Sequence, residues 1–79
     1  MIFDFSKLKG LMREKGFTQE AVAQEINIAY STLNLKLNGN TYLGQDEILK
    51  IANLLGIQKE EFYDYFFTTK VEKTKQKTN

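Results

Sequence analysis

Apolar residues recur along this chain at helical spacing, in short runs that glycine repeatedly closes. Phe5, Leu8, Leu11 and Met12 fall on one face, Asp4 stands where an N-cap belongs and Gly16 stops the run. Together they predict a first helix from Phe5 to Lys15. Phe3 and Leu8 flank the cap at the spacing of a hydrophobic staple. Thr18 is placed to cap a second helix, with Phe17 and Val22 again at staple spacing and Val22 and Ile26 one turn apart on its inner side. Asn27 falls where the chain must turn sharply, and asparagine is among the few side chains that tolerate a left-handed backbone.

The third element is ambiguous by pattern alone. Leu33-Asn-Leu35-Lys-Leu37-Asn38-Gly39 alternates with period two and ends in Asn-Gly, as a strand entering a hairpin does. No partner strand follows, because residues 40–44 (NTYLG) are short and turn-rich, so a helix over about residues 29–38 is the expectation. A fourth helix is plainer. Ile48, Ile51, Ala52 and Leu55 fall at i, i+3, i+4 and i+7, Asp46 and Glu47 suit the first turn, and Gly56 ends it. Lys59-Glu60-Glu61 opens a fifth helix rich in aromatic residues. Five short helices within residues 1–67 predict a compact all-α domain, with residues 68–79 as a separate basic tail.

Composition narrows the function classes. The chain has 79 residues, with no cysteine and no histidine, which excludes disulfides and thiolate metal sites and removes two common catalytic side chains. There is no glycine-rich phosphate loop, and no cofactor, small-molecule ligand or enzymatic activity is expected. No apolar run reaches the roughly 20 residues of a membrane span, so a cytoplasmic protein is expected. Residues 1–67 hold seven Lys/Arg and nine Asp/Glu, a balance of −2, whereas residues 68–79 balance to +3. That tail reads either as a solvated flexible terminus or as an arm touching phosphates.

The stretch from Phe17 to Gly39 (FTQEAVAQEINIAYSTLNLKLNG), followed by QDEILKIANLLGI at residues 45–57, resembles the helix-turn-helix of the Cro and CI phage repressors and the related Xre-like regulators. The whole chain looks like small phage-encoded Cro-like proteins of Gram-positive bacteria. The resemblance covers residues 4–67 and rests on Thr-Gln-Glu at the second helix, Ala23 at the helix crossing, the Asn-Gly closure and the Leu-Gly-Ile corner. It implies a repressor-like helix-turn-helix domain whose third helix enters the major groove of an operator. On that likeness Gln19 is a phosphate ligand, and Ala23 lets two helices approach closely. Three positions depart from the family pattern. Asn27 replaces a usual glycine, Ala29 stands where Ser or Thr normally caps the third helix, and Lys36 takes a position that is usually apolar.

The candidate site follows from these placements. Tyr30, Ser31, Thr32, Asn34 and Leu35 are candidates for contact with bases, since Asn can bond adenine at two points and Leu35 can pack on a thymine methyl. The plainer alternative makes Ser31 and Thr32 capping residues and Leu35 a core or dimer residue. Gln19, Lys36, Asn40 and Tyr42 are candidates for phosphate contact, with a snorkelling role as the alternative for Lys36. Lys7, Lys9 and Arg13 read as a solvated face. Phe62, Tyr63, Phe66 and Phe67 offer more aromatic surface than one short helix buries, and part of it is the candidate homodimer contact. A competing dimer pairs residues 67–73 as edge strands across a two-fold axis. A dimer would set two recognition helices about 34 Å apart on an inverted-repeat duplex. The rival to a DNA-binding repressor is a protein-binding module that docks the same fold on a partner.

Overall fold

A computed structural model describes residues 3–70 of the protein. Five helices follow one another: α1 (Ser6–Glu14), α2 (Gln19–Glu25), α3 (Tyr30–Leu37), α4 (Gln45–Leu55) and α5 (Phe62–Phe66), the last preceded by a 3-10 turn at Lys59–Glu61. Among the described residues there is no strand, and the all-α helix-turn-helix architecture expected from the residues is the one observed.

Local chemistry sets most of the boundaries. Asp4 opens α1 by accepting both the backbone N–H of Ser6 (2.9 Å) and its hydroxyl (2.6 Å). These bonds hold the Asp4 carboxyl below the usual aspartate range, the Ser6 hydroxyl contributing most. Thr18 Oγ1 caps α2 by accepting from the Ala21 N–H at 3.0 Å. Gly56 takes a left-handed conformation (φ 73°), and the Ile57 N–H turns back to the Ala52 carbonyl at 2.9 Å. Ile57 thereby closes the base of α4 as a buried residue. The fifth helix starts at Phe62 rather than Lys59, because the chain spends Lys59–Glu61 in the tighter 3-10 form.

One core joins all five helices. Leu8 and Met12 of α1, Val22 and Ala23 of α2, Leu33 and Leu37 of α3, Ile51, Ala52 and Leu55 of α4 and Phe66 of α5 are all buried, together with Phe5, Ile26 and Ile57. Phe66, expected at a dimer contact, is only 2% exposed. That expectation is corrected: the aromatic run supplies a core plug, and Phe62 packs edge-on against it with ring centres 5.6 Å apart. Phe3, expected to staple α1, sits within an aromatic group with Phe5, Tyr42 and Phe67.

The body also extends past the expected boundary at residue 67. The Asp4 N–H donates to the Thr68 carbonyl at 2.7 Å, and Phe3 pairs with Thr69 in an isolated antiparallel bridge. The Thr68 hydroxyl donates to the Asp64 carbonyl at 2.9 Å and closes α5. The rest of the expected tail, residues 71–79, lies outside the described residues, as do residues 71–73 of the strand proposed over 67–73. No helix among the described residues is long and apolar enough to cross a membrane.

Candidate functional site

The turn between α2 and α3 decides what α3 can show to a ligand. Asn27 adopts φ 64°, the left-handed conformation expected of it, and the Ile28 N–H returns to the Ala23 carbonyl at 3.0 Å. Ala23 is buried at the crossing of the two helices, where a larger side chain would force them apart. Ala29 is the N-cap of α3 with an extended backbone, and no side-chain hydroxyl is there to take up an N–H of the first turn. Leu33 and Leu37 form the buried stripe of α3. Their spacing of four turns Leu35 outward, where it is 50% exposed, and rules out a core role for it.

The outward face is therefore built by Tyr30, Ser31, Thr32 and Leu35, all exposed, with Asn34 half-buried beside them. Gln19, the first residue of α2, reaches this face, and its Oε1 accepts from Asn34 Nδ2 at 3.4 Å. Asn40 and Tyr42 are exposed in the loop that follows α3, Tyr42 leaning edge-on against the ring of Phe3. Of the residues proposed for base contact, Asn34 is the one bonded to Gln19. The candidate dimer residues divide: Tyr63 is 67% exposed and Phe67 is exposed, whereas Phe62 is half-buried and Phe66 is in the core.

Lys36 departs most from expectation. Expected as a phosphate contact, its Nζ lies 2.8 and 2.9 Å from the two carboxylate oxygens of Glu47, which neutralise its charge. The two side chains are only 17% and 18% exposed. Glu47 Oε1 also accepts from the Gly44 N–H at 2.8 Å, so one carboxylate both neutralises Lys36 and caps α4. Burial alone would raise the Glu47 carboxyl, but the bonds from Lys36 and Gly44, with the charges of Lys36 and Lys50, outweigh it and hold the group below the usual range. Sequence reasoning assigned Glu47 to the first turn of α4. Nothing in the spacing of residues 36 and 47 signals their pairing.

The consequence for charge is large. Between residues 17 and 47 the chain carries one cation, Lys36, and four carboxylates, Glu20, Glu25, Asp46 and Glu47. Glu20, Glu25 and Asp46 are exposed. Lys7, on α1, is directed to α5, with its ammonium 3.7 Å from Asp64 and 4.9 Å from the centre of the Tyr65 ring. A second feature missed in the sequence is a line of polar side chains. Lys9 donates to Asn38 Oδ1 at 3.0 Å, and Asn38 Nδ2 donates to Asn34 Oδ1 at 3.1 Å. The spacing of Asn34 and Asn38 on one helix could have revealed half of it. Among the described residues no cluster of acidic, cysteine or histidine side chains could hold a metal ion.

These features define a five-helix domain with a helix-turn-helix whose third helix presents a neutral, partly aromatic face. The chain belongs to the family described as protein of unknown function DUF739, whose model matches residues 1–69. It is similar to the solution structure of the modulator of repression (MOR) of the temperate bacteriophage TP901-1 from Lactococcus lactis. The two share 36% identity with a TM-score of 0.72, over 91% of this chain and 97% of that one. No curated protein matches the chain.

Proposed function

We propose that this chain regulates a phage repression switch, and that the outward face of α3 with the start of α2 docks on a basic surface of a repressor protein. The observation that carries the choice of ligand is the internal pairing of Lys36 with Glu47. Affinity for DNA comes largely from cations that replace condensed counterions, and a strong binder commonly makes about six to ten phosphate contacts. From Phe17 to Glu47 the only cation is the one Glu47 already holds, and Glu20, Glu25 and Asp46 in the same span are exposed, while Lys9 of α1, bonded to Asn38, adds one ammonium beside α3. A duplex would find few cations there to replace its condensed counterions. A basic protein surface would meet complementary charge at the rim and Tyr30, Leu35 and Tyr42 at the centre, a composition that suits protein recognition. The similarity to a modulator of repression supports the same role. No catalytic step enters this reading.

The helix-turn-helix frame itself favours a second reading, a Cro-like repressor that binds an inverted-repeat operator as a homodimer. Tyr30, Ser31, Thr32, Asn34 and Leu35 would then face base edges, Gln19, Asn40 and Tyr42 phosphates, and Tyr63 and Phe67 a second copy. The test titrates the purified chain with the repressor encoded in the same phage genome and, separately, with a random duplex library. A complex with the repressor that Leu35→Asp abolishes supports docking. Recovery of a palindromic duplex at low salt, with no response to the repressor, transfers the function to the second reading.

A further inference from the structure

Four polar side chains form a directed line from α1 across α3 to the start of α2. Lys9 Nζ donates to Asn38 Oδ1, Asn38 Nδ2 to Asn34 Oδ1, and Asn34 Nδ2 to Gln19 Oε1, at 3.0, 3.1 and 3.4 Å. A carboxamide has a donor end and an acceptor end, and three amides in line can satisfy one another in either of two opposite directions. An ammonium has three donors and no acceptor. Placed at the end of the line, it admits only one direction. Asn38 must turn its oxygen toward Lys9 and its nitrogen toward Asn34, and each later amide follows.

We infer that Lys9 is a positioning residue that sets the direction of this amide line, so that Gln19 turns its Nε2 donors outward and the face takes a ligand carrying a hydrogen-bond acceptor there. A carbonyl, carboxylate or phosphate oxygen meets that demand. Gln19 Oε1 is held by Asn34, which leaves the opposite corner of the same amide to the ligand. Both polar atoms of Asn34 already have partners, so Asn34 serves as a link in the line and Gln19 as its reading end. The inference rests on the proposed use of the α3 face for binding, but the direction of the line is a property of the free chain.

Side-chain carboxamide spectra of the isotope-labelled free protein test it without any ligand. In the unsubstituted chain and in Lys9→Arg, the Asn34 amide protons should be bonded and slow to exchange, and those of Gln19 solvent-like. Lys9→Glu replaces a pure donor with a pure acceptor and should reverse the line, so that Gln19 Nε2 donates to Asn34 Oδ1 and its protons become slow to exchange, while Asn34 Nδ2 stays bonded, now to Asn38 Oδ1. Asn38→Ala, which cuts the line and keeps the Lys9 charge, should abolish the difference between Lys9→Arg and Lys9→Glu. Far-UV circular dichroism confirms that each variant folds. Identical Gln19 proton exchange in Lys9→Arg and Lys9→Glu overturns the inference. In the repressor titration, Lys9→Arg should bind as the unsubstituted chain, and Lys9→Glu should bind roughly fivefold or more weakly than Lys9→Glu combined with Asn38→Ala, which carries the same charge but cannot turn Gln19, the scale of one unmatched polar group. Reversal of the line with unchanged binding overturns the claim that Gln19 reads an acceptor. Absence of any repressor complex in the unsubstituted chain counts against the proposed function alone, since the spectra still judge Lys9.

Discussion

The pairing of Lys36 with Glu47 ties α3 to α4, and its strength can be measured by removing each partner in turn. Two unit charges about 4 Å apart attract by roughly 4 kcal/mol at the dielectric typical of a site near the protein surface. Desolvation and the ordering of a lysine side chain remove much of that. Exposed pairs retain about 0–1 kcal/mol, and loss of one partner of a fully buried pair costs about 3–5 kcal/mol. At 17% and 18% exposure the pair lies nearer the buried limit. Lys36→Met should therefore destabilise by about 2 kcal/mol, because it leaves the Glu47 carboxylate half-buried without its cation. Glu47→Gln should cost a similar amount, and Glu47→Ala about 1 kcal/mol more through loss of the acceptor for the Gly44 N–H. The double variant Lys36→Met with Glu47→Gln should cost less than the sum of its parts by about 1.5 kcal/mol. Urea unfolding followed by circular dichroism reads these differences from the transition midpoints. The coupling should survive in 1 M salt, where exposed pairs are screened away. Additive single effects, or a coupling that salt removes, would show that the pair is a surface accident and that Lys36 is free for a ligand.

Acid should weaken the fold in step with this pair. Because the Glu47 carboxyl is held below its unfolded value near 4.3, its contribution is complete above that pH and is lost as pH falls through the lower folded value. The stability difference between the unsubstituted chain and Glu47→Gln should therefore shrink from pH 5 toward pH 3, as read by urea midpoints across that range. Phe66→Ala should destabilise by about 3–5 kcal/mol, as expected for a buried phenylalanine, and Tyr63→Ala by less than about 0.5 kcal/mol. Equal losses would reverse the core and surface assignments within α5. Ala29→Ser should stabilise by about 0.5–1 kcal/mol, since the extended backbone there awaits a hydroxyl, and Thr18→Ala should cost about 1 kcal/mol. Thermal melts of both variants check the pair of opposite signs.

Much of the fold was legible because it is written in short-range chemistry. Asp4, Thr18, Asn27 and Gly56 act within five residues of themselves, and each does what its position in the chain implies. Even the strand-like run Leu33-Asn-Leu35-Lys-Leu37 resolved correctly, because Leu33 and Leu37 are one turn apart and Leu35 is left outside. What escaped depends on partners distant in sequence. Phe66 looked like surplus aromatic surface until the helices around it supplied a core large enough to take it. Lys36 looked like a groove-edge cation because its counter-ion lies eleven residues away on another helix. Thr68 and Thr69 looked like tail because their partners, Phe3 and Asp4, lie at the opposite end of the chain.

The same distinction explains why likeness to a repressor frame does not by itself name the ligand. The frame is made by buried and backbone interactions: Ala23 at the crossing, Asn27 in its left-handed turn, and Leu33 and Leu37 against the core. None of these tells DNA from protein. That choice depends on exposed groups and on which charges remain free, and here a carboxylate on α4 removes the cation that α3 would otherwise present. Freeing Lys36 while keeping the frame, as Glu47→Gln does, isolates this effect. If charge selects the ligand, that variant should gain duplex affinity and lose repressor affinity together. A gain in neither would mean that shape at Tyr30 and Leu35, rather than charge, selects what the face holds.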